Sequence, residues 1–287
     1  MSSVEVAAGR PVALVRRRRT PVLVILASTV LAGVVAMALF HSVLAPHDPT
    51  AQDLVTGLTA PTDPYLLGTD QLGRDVFSRV IAGAAPALVG PLIITMVSLV
   101  VGNALGLLAG YRGGRVDAVI MRWVDMMWSI PSVLVVIVVA AALGGGYWLT
   151  IALLALLTIP FDTRIVRGAV LEQMPRPYVE AARVLGVPAH RIAIRHVWPN
   201  IAPTAIANAF LVFANSLVAI ASVSFLGLGI DPSTPDWGVM IAQNQAVLFA
   251  NPAAVLTPAL LIVATAASVN VIGDAAYAAL ARRGGER

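Results

Sequence analysis

Residues 180–200 read EAARVLGVPAHRIAIRHVWPN. The stretch carries three arginines, one glutamate and two histidines, and apolar runs of membrane-spanning length lie on both sides of it. Tyr178 to Leu185 is rich in helix formers. Gly186 stands where a residue just past a helix C-terminus belongs. Pro188 can open a second helix in its first turn, and Arg191 and Arg195 then fall four apart on one polar face. Pro199 ends that second helix or starts the next span. The pattern is helix, glycine corner, helix, membrane. It fits an amphipathic connector on an anionic membrane surface, and it equally fits a rigid element offered to a partner protein.

The rest of the chain sets the class. Of 287 residues 58% are hydrophobic and 12% charged, with a mean hydropathy of +0.85. Soluble domains carry about a quarter charged residues. The composition therefore points to an all-α, polytopic membrane protein. Six apolar runs approach the roughly 20 residues that cross about 30 Å of hydrocarbon. They lie near 22–44, 85–109, 119–143, 147–161 (extendable towards Val166), 201–223 and 253–276. Pro91, Pro131, Pro203 and Pro258 inside them are tolerable, because neighbouring helices can satisfy the freed carbonyls. The polar lead and full-length apolar core of the first run predict an uncleaved anchor, since secretory h-regions are shorter.

All 19 basic residues are arginine, and there is no cysteine. Thiol chemistry, disulfides and cysteine metal sites are excluded. Without lysine, so is a phosphate-cradling loop of the usual GxxxxGK[ST] form. With the N-terminus inside, 17 arginines fall in internal segments. They are Arg10, Arg16, Arg17, Arg18 and Arg19; Arg112, Arg115 and Arg122; Arg164, Arg167, Arg176, Arg183, Arg191 and Arg195; and Arg282, Arg283 and Arg287. Only Arg74 and Arg79 fall outside. That asymmetry predicts two cytoplasmic termini and a cytoplasmic 180–200 segment. It also explains the pI near 10.1 without a nucleic-acid partner.

The predicted organisation is a cytoplasmic tail (1–21), the first span (22–44), an extracytoplasmic loop (45–84), a five-helix core (85–277) containing the 163–200 region, and a cytoplasmic tail (278–287). The aspartates of the outer loop, Asp48, Asp53, Asp63, Asp70 and Asp75, read as a solvated loop with Asx turns. They lack the spacing of a calcium loop. Asp125 and Asp274, near helix ends, read as structural ion pairs or partner contacts and not as substrate sites. Neither HExxH nor GxSxG occurs, and the four histidines lie in loops or at span ends, which argues against a hydrolase. The middle of each run reads as free of ionisable residues, which argues against an ion-coupled secondary carrier. Asn103, Asn208, Asn215 and Asn270 are the polar residues within spans. They are candidates for a translocation path or, equally, for interhelical hydrogen bonds.

The 180–200 stretch also resembles the EAA signature of the transmembrane subunits of bacterial ABC importers: E-A-A, three residues, Gly, and a stretch closing on proline. RHVWPN at 195–200 resembles the version found in the peptide-importer branch. LAPHDPTAQDL (44–54), LGTDQLGRDVFSR (67–79), RWVDMMWSIPS (122–132), SFLGLGIDPSTPDWGVMI (224–241) and NVIGDAAYAAL (270–280) are similar to the same branch. The likeness runs from about Arg16 to Arg283, and GAAPALVGP (83–91) departs from it locally. It implies a type I importer permease fold with cytoplasmic coupling helices, of the C-type subunit in the peptide and nickel transport family. It further implies that Glu180, Ala181, Ala182 and Gly186 form a docking core with Arg183, Arg191 and Arg195 around it. The implied partners are a second, homologous permease (as a heterodimer), one or two cytoplasmic ATP-binding subunits, an extracytoplasmic binding protein, and membrane lipid. ATP and Mg would sit on the partners, with no cofactor on this chain. The implied cargo is dipeptides or short oligopeptides, with nickel chelates or glutathione as the alternative.

Overall fold

The computed structural model describes residues 21–285, with side chains from 22 to 281. The tail arginines Arg10, Arg16, Arg17, Arg18, Arg19 and Arg287, with the side chains of Arg282 and Arg283, lie outside what is described. The chain is mainly α-helical, and the β-structure among the described residues is two isolated antiparallel bridges, Thr62–Tyr65 and Thr69–Asp75. Among the described residues five helices are long and apolar enough to cross a membrane, and one bent helix pair reaches that length and hydropathy only when its two halves are taken together.

The first span is α1 (Pro21–Leu44) and the second is α2 (Val76–Arg112). At about 1.5 Å per residue, 37 residues make α2 roughly 55 Å long, well beyond the hydrocarbon thickness. It starts nine residues before the expected run because Asp75 caps it, accepting from the Phe77 and Ser78 amides. The extra turns rise into the layer formed by the 45–75 loop.

The expected third span, 119–143, is not one helix. It divides into α3 (Gly114–Trp128) and α4 (Ser132–Leu143), bent by 74°. Pro131 disfavours a helical Ile130 and has no amide to donate. Charge on α3 adds to the break: Asp117 and Asp125 turn to the arginines of α5 (Tyr147–Gln173). α5 itself runs well past the expected end at 161.

Three short pieces follow: α6 (Pro177–Val184), α7 (Ala189–Ile192) and a π-helical turn (Ala193–Val197). They lead into α8 (Trp198–Phe225), α9 (Trp237–Asn244) and α10 (Ala253–Gly285). Residues 189–225 form one 37-residue run, so the second helix of the 180–200 segment is the foot of the fifth span. Pro199 and Pro203 cannot donate to the carbonyls one turn below, which accounts for the irregular foot. α10 continues through most of the expected tail.

Three buried clusters stack along the bundle. The one nearest the 45–75 loop joins Val34, Val76, Val80, Leu217, Trp237, Met240 and Ile262. The Trp237 indole donates to the Val80 carbonyl at 2.9 Å. The middle cluster joins Ile94, Val136, Ile151 and Ile220, and the third joins Val166, Val170, Val179, Ile192, Val197 and Ile201.

The most extensive helix contact is α2 against α5, and glycine makes it possible. A Cβ on Gly102 would lie 2.5 Å from the Asp162 Cβ. On Gly106 it would lie 2.7 Å from the Thr163 carbonyl oxygen and from the Val166 Cβ, and on Gly110 2.8 Å from the Val170 Cβ. Spaced four apart, the three form one stripe on which the backbones meet. Gly106→Leu should therefore cost about 1–3 kcal/mol or prevent assembly. Gly168→Ala on α5, where an added Cβ meets nothing within 4 Å, should fall within about 1 kcal/mol of the parent, on the stabilising side. Thermal unfolding in detergent compares the two.

Candidate functional site

Pro177 opens α6 in its first turn, and the Tyr178 hydroxyl donates to Gln173 at 2.9 Å. Burial pushes the Tyr178 phenol pKa up. Val179 and Ala182 face inwards, onto Val166, Val170, Ile192 and Ile201. The helix closes on Gly186 at φ +72°. There the Gly186 amide donates to the Arg183 carbonyl at 3.0 Å and the Val187 amide to the Ala182 carbonyl at 3.1 Å. This Schellman closure needs a left-handed residue, which the Gly–Pro punctuation predicts.

The opposite face is free. Glu180, Ala181, Arg183 and Gly186 are exposed, and Val184 and Leu185 are 83% and 81% exposed. Arg191 and Arg195 are exposed on the next piece, as is Ile194. The paired alanines thus differ: Ala181 faces out, whereas Ala182 is buried in this chain's own core. The apolar tip, Val184 with Leu185, is the part that charge and motif counting undervalue. Its signal in the sequence is two large aliphatic residues directly before the corner glycine.

The segment stands on a braced base. Arg167 of α5 forms a two-pronged pair with Asp117 of α3, its Nη2 2.6 Å from Oδ2. Arg164 pairs with Asp125, so the predicted ion pair of Asp125 is present with a partner on α5. The Arg164 guanidinium also lies 4.4 Å from the Trp128 ring centroid.

At the other end, residues 45–75 pack over α9 and its loop. Asp48 and Asp53 make the expected Asx turns, accepting from the Thr50 amide and from the Val55 and Thr56 amides. The hydroxyls of Thr50 and Thr56 hold the two carboxyls below their ordinary pKa. The solvated-loop expectation fails for the charges between 70 and 79. Asp70, Arg74, Asp75 and Arg79 are all buried. Arg74 donates to Asp70 at 2.7 Å and to Gln243 at 2.8 Å, and Arg79 donates to the Pro49 carbonyl at 3.0 Å. Burial is tolerated because Asp70, Arg74 and Arg79 meet opposite charges or a carbonyl, and Asp75 accepts from the Phe77 and Ser78 amides. His47 Nδ1 lies 3.2 Å from Asp75, but the Ser78 hydroxyl donates to the same carboxylate. The three form a helix cap, with no serine–imidazole contact that would make a nucleophile. Burial pushes the carboxyl of Asp236, which caps α9, above its ordinary pKa.

Between the two ends lies a feature that contradicts the expectation of charge-free span interiors. Asp162 lies near the middle of α5 and is buried. It accepts from the Ser98 hydroxyl of α2 at 2.5 Å and from the Asn208 amide of α8. A fourth span ending at 161 puts Asp162 at a helix end, and the longer α5 moves it inside. Of the four asparagines, Asn208 is thus in an interhelical hydrogen bond. Asn103 is buried and bonds the Leu99 carbonyl on its own helix, with its Oδ1 unpartnered. Asn270 is half-buried and Asn215 exposed. Asn208 and Asn215 lie on one helical stripe but in different surroundings, and the structure does not gather the four.

Comparison with known proteins fits this arrangement. Residues 102–284 match the family described as binding-protein-dependent transport system inner membrane component, and the chain belongs to that family. It is a multi-pass permease subunit of a transport system. The di/tripeptide transport system permease protein of Pseudomonas aeruginosa is 37% identical over 247 residues, covering 84% of this chain and 82% of that protein. The glutathione transport system permease protein of Pectobacterium atrosepticum is 33% identical over 84% of this chain and 80% of its own length. The dipeptide transport system permease protein of Haemophilus influenzae is 33% identical over 80% of each.

The corner makes a local prediction. Because an added Cβ on Gly186 meets nothing within 4 Å, only its backbone angle restricts it. Gly186→Asn should keep the closure, whereas Gly186→Val should lose about 1–2 kcal/mol of local stability. Amide hydrogen exchange over residues 180–190 reads the difference.

Proposed function

We propose that this chain is one permease of an ATP-driven importer of dipeptides or short oligopeptides in a bacterial cytoplasmic membrane. Both termini and the 177–200 segment face the cytoplasm, as the arginine asymmetry argues. The chain forms half of a translocation path with a second, homologous permease. One or two cytoplasmic subunits bind ATP and Mg and hydrolyse the nucleotide. An extracytoplasmic binding protein delivers cargo to the layer built from 45–75 and 226–252.

One observation carries this reading. The EAA segment turns an apolar tip, Val184 and Leu185, away from its own core, beside exposed Glu180, Arg183, Arg191 and Arg195. A solvated connector gains nothing from exposing two adjacent aliphatic residues at a rigid corner. A groove on another protein would bury them, with the charges as a polar rim. Closure of the ATP-binding subunits then moves the segment, and the bundle alternates between outward and inward openings. The names of the similar permeases favour peptides. Glutathione, itself a tripeptide, is the second reading, because a glutathione permease is about as similar as the dipeptide ones.

Proteoliposomes holding both permeases and the ATP-binding subunits, with the binding protein outside, test the proposal. ATP-dependent uptake of di- and tripeptides is expected. Leu185→Asp should lower uptake and ATPase stimulation by tenfold or more, if the tip contributes about 1.4 kcal/mol or more to docking. Native uptake by Leu185→Asp would contradict the docking assignment. Uptake of glutathione alone would decide for the second reading.

A further inference from the structure

The buried carboxyl of Asp162 is unused by any role given so far, and its position relative to α8 gives it one. Residues 189–225 are one run, so a displacement of the 180–195 segment enters α8 first. The foot of α8 holds the π-helical turn, Pro199 and Pro203, where missing amide donors leave the helix deformable. Asn208 sits just above that foot. Among the described residues, its bond to Asp162 is the side-chain hydrogen bond that joins α8 to α5. Through the other carboxyl oxygen Asp162 also holds Ser98 of α2. Ser98 and Asp162 are almost completely buried, and Asn208 is 8% exposed. Gly102 leaves the space that the Asp162 side chain fills. The carboxyl is therefore the point where three helices are pinned together, above the flexible part of one of them.

We propose that Asp162 is a positioning residue for ATP-driven transport: it fixes α8 to the α2–α5 pair, so that displacement of the docking segment is passed on to that pair instead of being absorbed in the foot of α8. The inference rests on the coupling role proposed above. Both hydrogen-bond partners of the carboxyl are neutral, so the role needs hydrogen bonds and not charge. An amide at this position can accept from Asn208 and donate to the Ser98 hydroxyl.

The test uses the whole assembly in proteoliposomes and measures peptide uptake per ATP hydrolysed. General damage to the fold lowers both quantities together and leaves their ratio. Asp162→Leu and Asn208→Leu should each keep ATP hydrolysis while the ratio falls about fivefold or more, the scale of a typical coupling between sites. The double variant should be no worse than Asp162→Leu alone, because that change already removes the tie to Asn208 along with the one to Ser98. Asp162→Asn should restore most of the ratio. Native ratios in both leucine variants would overturn the inference, and so would losses that multiply in the double variant. An Asp162→Asn variant as defective as Asp162→Leu would also overturn it, because charge would then be the working property. If Asp162→Leu fails to assemble, Asn208→Leu, which leaves the carboxyl in place, decides the question in the same way. Absence of ATP-driven uptake by the unmodified assembly would contradict the proposed function instead.

Discussion

The stripe of Gly102, Gly106 and Gly110 brings the backbone of α2 onto α5 more closely than any side chain would allow, and the other contacts are arranged around that pair. In a bilayer little hydrophobic force draws one helix to another, so close backbone packing and interhelical hydrogen bonds must supply the association. The stripe supplies the first. It also creates the setting for the second, because Asp162 meets Ser98 at the level of Gly102. Nearer the foot of the pair, the same approach lets Val166 and Val170 line the cluster on which Val179, Ala182 and Ile192 rest. The 177–197 segment is thus seated on the closely packed α2–α5 pair.

Rigidity and deformability are divided between neighbours. α2 and α5 are long helices in tight contact, and α3 is braced to α5 by two arginine–aspartate pairs. α8, by contrast, begins in a π-helical turn with two prolines in its first six residues. A corner held by a Schellman closure presents Val184 and Leu185 without support from outside the chain. At the far end, hydrogen bonds from two buried arginines fasten residues 45–75 to the top of α2 and to α9. The proposed function, with force entering at one end and cargo at the other, calls for firm layers at both ends and compliance between them.

Much of this is legible in the sequence, for physical reasons. Long apolar runs give the spans, because the bilayer requires each backbone group to be satisfied within its own helix. Gly186 and Pro188 give the corner, because few residues take a left-handed angle or open a helix as readily. The Asx turns of Asp48 and Asp53 are legible in the same way, from short polar side chains beside proline and threonine. Other features depend on contacts distant in the chain. The 74° bend at Pro131 looks in sequence like the tolerable proline of an unbroken span. The burial of Asp70, Arg74 and Arg79 depends on α9, far along the chain. Asp162 is obscured when a helix end is placed at Phe161. Ala181 and Ala182 are indistinguishable by type, and only packing turns one inwards. The glycine stripe stands in the sequence as GxxxGxxxG within an apolar run, a spacing that by itself marks a face for close helix contact.

The central claim is that the tip at Leu185 is covered by an ATP-binding subunit on the cytoplasmic side. The chain has no cysteine, so Leu185→Cys introduces a single thiol. Its rate of labelling by a membrane-impermeant maleimide can be compared between inside-out vesicles holding the permeases alone and vesicles holding the full assembly. The account predicts fast labelling of the permeases alone and strong protection in the full assembly. Equal labelling in both, or labelling only from the opposite face of the membrane, would contradict it.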